Sequence, residues 1–262
     1  MNKKKLPVQI VLGLFLPVSG LAQQNTPDFT GMWSDPPNTL EGTLCFFACF
    51  DGGLDTLYAL IDDPLNDDTP VPQLVQQAMA KGFIDNIVPK LSPKGKEQFP
   101  LDQSKDPSYT ECIPWGFARE IFAPHQLRIE QHPDHLDMQY GEWNITRTVL
   151  MKANALSTLP AHSNMGFSVA HYEGDTLVIE TSRVTENIFF SLTYHSDLLS
   201  AVERYSKSAD GERLNVEVTF TDPLVLTEPV TAKKFWTWAP DQEIYAYDSC
   251  RIPDPNLIIE GV

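Results

Sequence analysis

His195, Ser196 and Asp197 place an imidazole, a hydroxyl and a carboxylate within three residues. Histidine titrates near neutral pH and a nearby carboxylate can orient its ring. This is the best acid–base pair in the chain, with His195 as base and Asp197 orienting it. A Ser or Asp cap with His195 packed over it explains the same residues without chemistry. Arg147 shares a strand face with Trp143, Ile145 and Val149, and Glu203 shares one with Leu199, Ala201 and Tyr205. A charge on an apolar face is buried with a partner or lines a cavity. Arg147 and Glu203 can therefore pair across an interior, either anchoring a polar ligand group or fixing register as a salt bridge. Arg147 or Arg119 is the group to hold an anion.

Other residues carry weaker signals. Ser168 sits in Gly166-Phe-Ser-Val-Ala170, superficially a nucleophile elbow, but the segment runs into a hairpin where an elbow needs a strand-to-helix turn. Glu173 and Asp175 are explained by the turn they flank. His132 and His135 lie three apart around Pro133-Asp134 with no third ligand apparent, so a metal is not expected there. Trp236, Trp238, Tyr245 and Tyr247 can share one face and line a pocket for an apolar or sugar-like ligand, or simply fill a core. The expected ligand-facing set is Arg119, Arg147, Glu203, Tyr205, Trp236 and Trp238. No cofactor is expected.

The elements that must position these groups are mostly strands. Phe167 to Thr181 reads as a hairpin across Glu173-Gly174-Asp175, with Leu177 and Ile179 on one face. Leu127–Gln131, His135–Tyr140 and Trp143–Leu150 precede it. Leu199–Ser206, Arg213–Thr221, Val230–Trp238 and Glu243–Ser249 follow, for nine strands after Leu127 joined mostly by short turns. A meander that long is expected to close, because closure removes its edges. Phe29 and Trp33, around Gly31, predict a short opening strand at one barrel end. Residues 34–110 are irregular, with one helix expected from Gln73 to Lys81 behind Thr69-Pro70 and stopped by Gly82, and a short one after Ser92-Pro93. The fold class expected is mainly β: an antiparallel up-and-down barrel over 111–262, with 23–110 as a strand and a partly helical lid.

From about Leu91 the chain resembles an uncharacterised family of exported bacterial proteins. The resemblance rests on Cys112-Ile-Pro-Trp-Gly-Phe-Ala-Arg119, then Tyr140, Glu142 and Arg147, then Glu173-Gly-Asp-Thr-Leu-Val178. It continues through His195-Ser-Asp-Leu-Leu199, Glu203-Arg-Tyr205, Asp222-Pro223 and Cys250. It implies a lipocalin-like barrel and carries no established activity. The chain departs from the pattern at Gly166-Phe-Ser-Val-Ala170, where relatives have Gly-His-Ser-x-Gly, and at Lys152-Ala-Asn-Ala-Leu156, where they have Asp-Gly-Arg-Pro-His.

Compartment is read from both ends of the composition. Lys3, Lys4 and Lys5, an apolar run from Leu6 to Leu16 and Gly20-Leu-Ala22 have the parts of a signal peptide cut after Ala22. That run is too short to span a bilayer. Cleavage takes the net charge from −16 to −19, which disfavours nucleic acid and anionic membrane as partners. Cys45, Cys49, Cys112 and Cys250 read as two disulfides in an exported chain, with three pairings open; Cys112–Cys250 would staple the strand-rich part and leave Cys45–Cys49. The leading expectation is a periplasmic or secreted barrel that binds a small, partly apolar organic molecule. The alternative is a cofactor-independent lyase, isomerase or hydrolase using His195 and Asp197.

Overall fold

The computed structural model describes residues 26–151, 160–190, 193–245 and 250. The leader through Ala22, the Lys152–Leu156 segment and Tyr247 lie outside them. Among the described residues there are eleven strands: β1 Gly31–Ser34, β2 Leu127–Gln131, β3 His135–Tyr140, β4 Thr146–Met151, β5 Phe167–Glu173, β6 Thr176–Ser182, β7 Asn187–Phe189, β8 Thr193–His195, β9 Ser200–Lys207, β10 Arg213–Thr221 and β11 Val230–Trp238. Nine of them close a barrel in the order β1-β11-β10-β9-β6-β5-β4-β3-β2, and β7-β8 is a separate hairpin.

Every neighbouring pair in the barrel is antiparallel except β4 and β5, which run parallel. An odd number of strands cannot alternate in direction all the way round a ring, so one parallel contact is required. The strictly antiparallel meander expected from the sequence is corrected at that step. The strand that completes the ring is β1, paired with both β11 and β2. Residues 243–245 are not strand, and the remainder of the strand expected at Glu243–Ser249 lies outside the described residues. Gly31 permits the closure: Trp238 lies so close that a Cβ at Gly31 would stand 2.1 Å from its ring. Trp238 also meets Trp33 edge to face at 5.0 Å.

Alternation decides the barrel's inner surface. Leu214, Val216, Val218 and Phe220 of β10 are buried to 2% exposure or less, as are Leu177 and Ile179 of β6. The β5–β6 turn uses Gly174 at φ 60°. The helices are α1 Leu40–Leu44, α2 Gly53–Asp62, α3 Val71–Ile87, α4 Pro93–Glu97, α5 Pro107–Thr110 and α6 Phe117–Glu120. Helix α3 passes through Gly82, the expected stop, and ends at Ile87, which is fully buried. Tertiary burial of that last turn outweighs the glycine's helix penalty of about 1 kcal/mol. Ser92 caps α4 as its position before Pro93 predicts. Helices α1, α2 and α3 share a small core of Leu44, Leu57, Leu74, Val75 and Ala78.

That helical unit meets the barrel along the outer face of β10 and β11. Arg213 makes a two-pronged bond to Glu41, Lys233 reaches Asp51, and Cys49 bridges to Lys233 through the backbone. Two disulfides form, Cys45–Cys49 and Cys112–Cys250. Among the described residues, no helix is long and apolar enough to cross a membrane.

Candidate functional site

Arg147 from β4 and Glu203 from β9 meet inside the barrel through two parallel bonds, Nη1 to Oε1 and Nη2 to Oε2, each 2.8 Å. The fork matches guanidinium to carboxylate in two places at once, the strongest form of such a pair. Tyr205 Oη donates to Oε2 at 2.9 Å and Thr181 Oγ1 to Oε1 at 3.0 Å; Ser168 Oγ lies 2.9 Å from Thr181 Oγ1. Burial alone would pull the guanidinium down, and the facing Glu203 more than offsets it, so Arg147 stays charged. Phe117 lies over Arg147 at 5.3 Å. Both oxygens of Glu203 are occupied by protein. The sequence reading brought Arg147, Glu203 and Tyr205 together correctly, but Trp143, expected on the Arg147 face, turns left-handed at φ 54° before β4 begins. Ser168 is thereby a buried hydroxyl in this network rather than an elbow nucleophile.

Beyond Arg147 the interior polarity is unfinished. Tyr140 on β3 is 2% exposed; its hydroxyl makes no full hydrogen bond although the Tyr205 hydroxyl is close enough to interact, and burial, with Glu203, holds its proton tightly. Glu120, at the end of α6, is fully buried with neither carboxyl oxygen bonded. Burial pushes its carboxyl well up, and Glu142 adds to the push, so the neutral acid is favoured. Lys234 enters from β11 between Ala232 and Trp236. Its Nζ donates to the carbonyls of Phe46 at 2.9 Å and Phe122 at 3.3 Å, and to that of Ala123. Burial brings its ammonium down to about 7. Asp35, just past β1, has an unbonded Oδ1 and is raised by burial. His125 pairs with Glu142 at 2.6 Å, which raises its ring, and stacks on Tyr245 at 5.2 Å. Trp236 Nε1 donates to His125 O at 3.2 Å.

Five titratable side chains, Asp35, Glu120, His125, Glu142 and Lys234, thus share one electrostatic neighbourhood. They come from β1's exit, α6, two connecting loops and β11. Of these only Glu142 was named from the sequence, as part of the family resemblance, and none was a candidate site residue. Lys234 was findable: it breaks the apolar run Val230, Ala232, Trp236 as Arg147 does its own. Glu120 was not, because a helix of four residues carries no readable period.

The remaining expected site residues are placed elsewhere. His195 is 1% exposed in β8; its Nδ1 lies 2.9 Å from Ser196 O, Phe189 packs at its edge, and burial lowers its ring. Asp197 is exposed and is not the carboxylate that organises this loop. Asp222 is: it accepts from Ser196 N at 2.7 Å and Ser196 Oγ at 2.8 Å, and from the amides of Leu224 and Val225. The expected His195–Asp197 dyad is therefore corrected to a Ser196–Asp222 tie between two loops. Arg119 is buried against Asp106 at 2.6 Å and stacks over Trp115 at 4.0 Å, apart from the Arg147–Glu203 network. Trp236 faces inward, whereas Trp238 is 36% exposed at the β1 seam. Comparison of the chain with protein-family models, curated proteins and solved structures finds no match in any of the three.

Proposed function

We propose that this is an exported β-barrel protein that binds a small, partly apolar organic molecule at the Glu120–Tyr140 end of its interior. The observation that carries the reading is the fully buried carboxyl of Glu120, bonded on neither oxygen, with the incompletely bonded Tyr140 hydroxyl in its field. An unmet polar group in a dry interior costs about 1–3 kcal/mol, which a ligand's own hydrogen bonds would recover. A neutral carboxyl and a phenol offer donors and acceptors without net charge. They suit a hydroxyl, carbonyl or amide group attached to an apolar body. Phe117, Leu127 and Trp236 belong to the surrounding apolar core. Two disulfides and the Lys3–Ala22 leader support an oxidising, extracytoplasmic compartment. The resemblance to the exported family agrees, since its Tyr140, Arg147, Glu203 and Tyr205 converge in this barrel.

Native mass spectrometry of the protein from the periplasm of its own host, followed by denaturing extraction, tests the reading. A retained compound whose occupancy falls in Tyr140→Phe and Glu120→Gln is the expected result. A wild-type protein that carries nothing, and whose melting point does not respond to host extracts, would overturn it.

A second reading, a cofactor-independent lyase, isomerase or hydrolase, draws support from Lys234 near 7 beside the raised Glu120. Opposed shifts of that kind separate an acid from a base. Turnover of the retained compound, with a pH profile tracking those groups, distinguishes it from simple binding.

A further inference from the structure

The β2–β3 turn gathers three metal-ligating side chains on the barrel's outer face, far in chemistry from the interior cluster. His132 and His135 face each other across Pro133-Asp134, with His132 N donating to His135 O at 2.9 Å. Asp137 stands two residues beyond His135 on the same face of β3, where the pleat returns side chains to one side. It is the third ligand that spacing along the sequence did not reveal. The rings of His132 and His135 stack with centroids 4.4 Å apart. Both Nε2 atoms converge on one oxygen, Asp137 Oδ2, at 3.8 Å from His132 and 3.5 Å from His135. One ligand atom from each residue lies within 4.8 Å of the others.

We propose that His132, His135 and Asp137 bind a first-row divalent cation, zinc in the first instance. Metal–nitrogen and metal–oxygen bonds of about 2.0–2.2 Å around a tetrahedral ion place ligand atoms about 3.4 Å apart, close to what the turn already holds. Two imidazoles with one carboxylate suit zinc, copper or nickel, whereas magnesium and calcium demand oxygen. The surroundings are arranged as such a site needs. His135 presents Nδ1 to Asp134 Oδ1 at 2.7 Å, which leaves Nε2 to face the ion, and Thr148 Oγ1 donates to Asp137 Oδ1 at 2.6 Å, which fixes the carboxylate. Ligand histidines and carboxylates are held by bonds of this type in metal sites. Three protein ligands leave a coordination position open to water or an external group, the pattern of a reactive or exchanging site and not of a structural one.

The test is calorimetric titration of the disulfide-bonded protein with zinc chloride, with magnesium chloride as control and the histidine ring nitrogens followed by NMR. One zinc equivalent, shifts at Nε2 of His132 and His135 and no magnesium heat are expected. Asp137→Asn and the double variant His132→Ala/His135→Ala should abolish that equivalent. Asp134→Asn keeps all three ligands and should weaken it by about 10- to 100-fold. Absence of binding at millimolar zinc, or binding undiminished in the double variant, would overturn the site.

Discussion

The Arg147–Glu203 network and the Glu120–Lys234 cluster lie in one barrel, yet only in the first is the carboxylate fully bonded. Glu203 receives four bonds from three residues, Arg147, Tyr205 and Thr181. Glu120 receives none, and Tyr140 between the two regions makes no full hydrogen bond. The difference follows from where the residues come from. Arg147, Thr181, Glu203 and Tyr205 sit on regular strands whose register brings them face to face. Glu120 sits on a single helical turn, and Asp35, His125 and Glu142 on the segments around the strands, where side-chain placement answers to loop geometry. A carboxylate bonded on both oxygens holds the barrel together, while an unbonded one is where an outside molecule gains most by binding.

The comparison breaks most visibly at Glu203. Glu203→Gln leaves the Arg147 charge buried without its counter-ion, and denaturant unfolding should register a loss of about 3–5 kcal/mol. Replacing both, as Arg147→Met with Glu203→Leu, should recover most of it; a double variant as unstable as the single would mean that the pair is not the cause.

Next in size is the tether of the segment that bears Glu120. Cys112 begins that segment and joins Cys250 across a sequence separation of 138. Replacing both by alanine should lower stability by about 2–4 kcal/mol, and more than replacing Cys45 and Cys49, which are only 4 apart. Equal melting points for the two variants would contradict the loop argument.

Glu120→Gln should act in the opposite direction to Glu203→Gln. Because burial, with Glu142, raises the folded carboxyl, its favourable contribution is complete below the unfolded value of about 4.3 and is lost as pH rises through the raised one. The variant should therefore be more stable than wild type at pH 8, by on the order of 1 kcal/mol, and indistinguishable at pH 4. A loss at pH 8 would show that Glu120 is satisfied after all.

The smallest effect belongs to His125. Its pairing with Glu142 raises the ring, so the stability it adds is present below about 6.5 and disappears as pH rises through the folded value. His125→Ala should cost less than about 1 kcal/mol at pH 5.5 and nothing at pH 9 by thermal unfolding.

Much of the barrel wall could be read residue by residue. The strict alternation from Leu214 to Phe220 places β10 correctly, and the same rule finds Arg147 and Glu203 inside and facing each other. Applied to Val230, Ala232, Lys234 and Trp236, it would have found Lys234 as well. The dyad at His195 failed because adjacency in sequence says nothing about orientation: along β8 and its exit the ring turns into the core beside Phe189, while Asp197 faces solvent. The carboxylate that reaches Ser196 comes from Asp222, 26 residues on.

By itself the sequence determined the period-two strands, the Gly174 turn, which charges face inward from a strand and the supply of four cysteines, because each depends on side-chain type at short spacing. The tertiary structure alone decided that β1 completes the ring, that β4 and β5 run parallel, and that Glu120 meets Lys234. Those are contacts between separate segments, and they are set by the closure and register of the whole barrel, which no local pattern encodes.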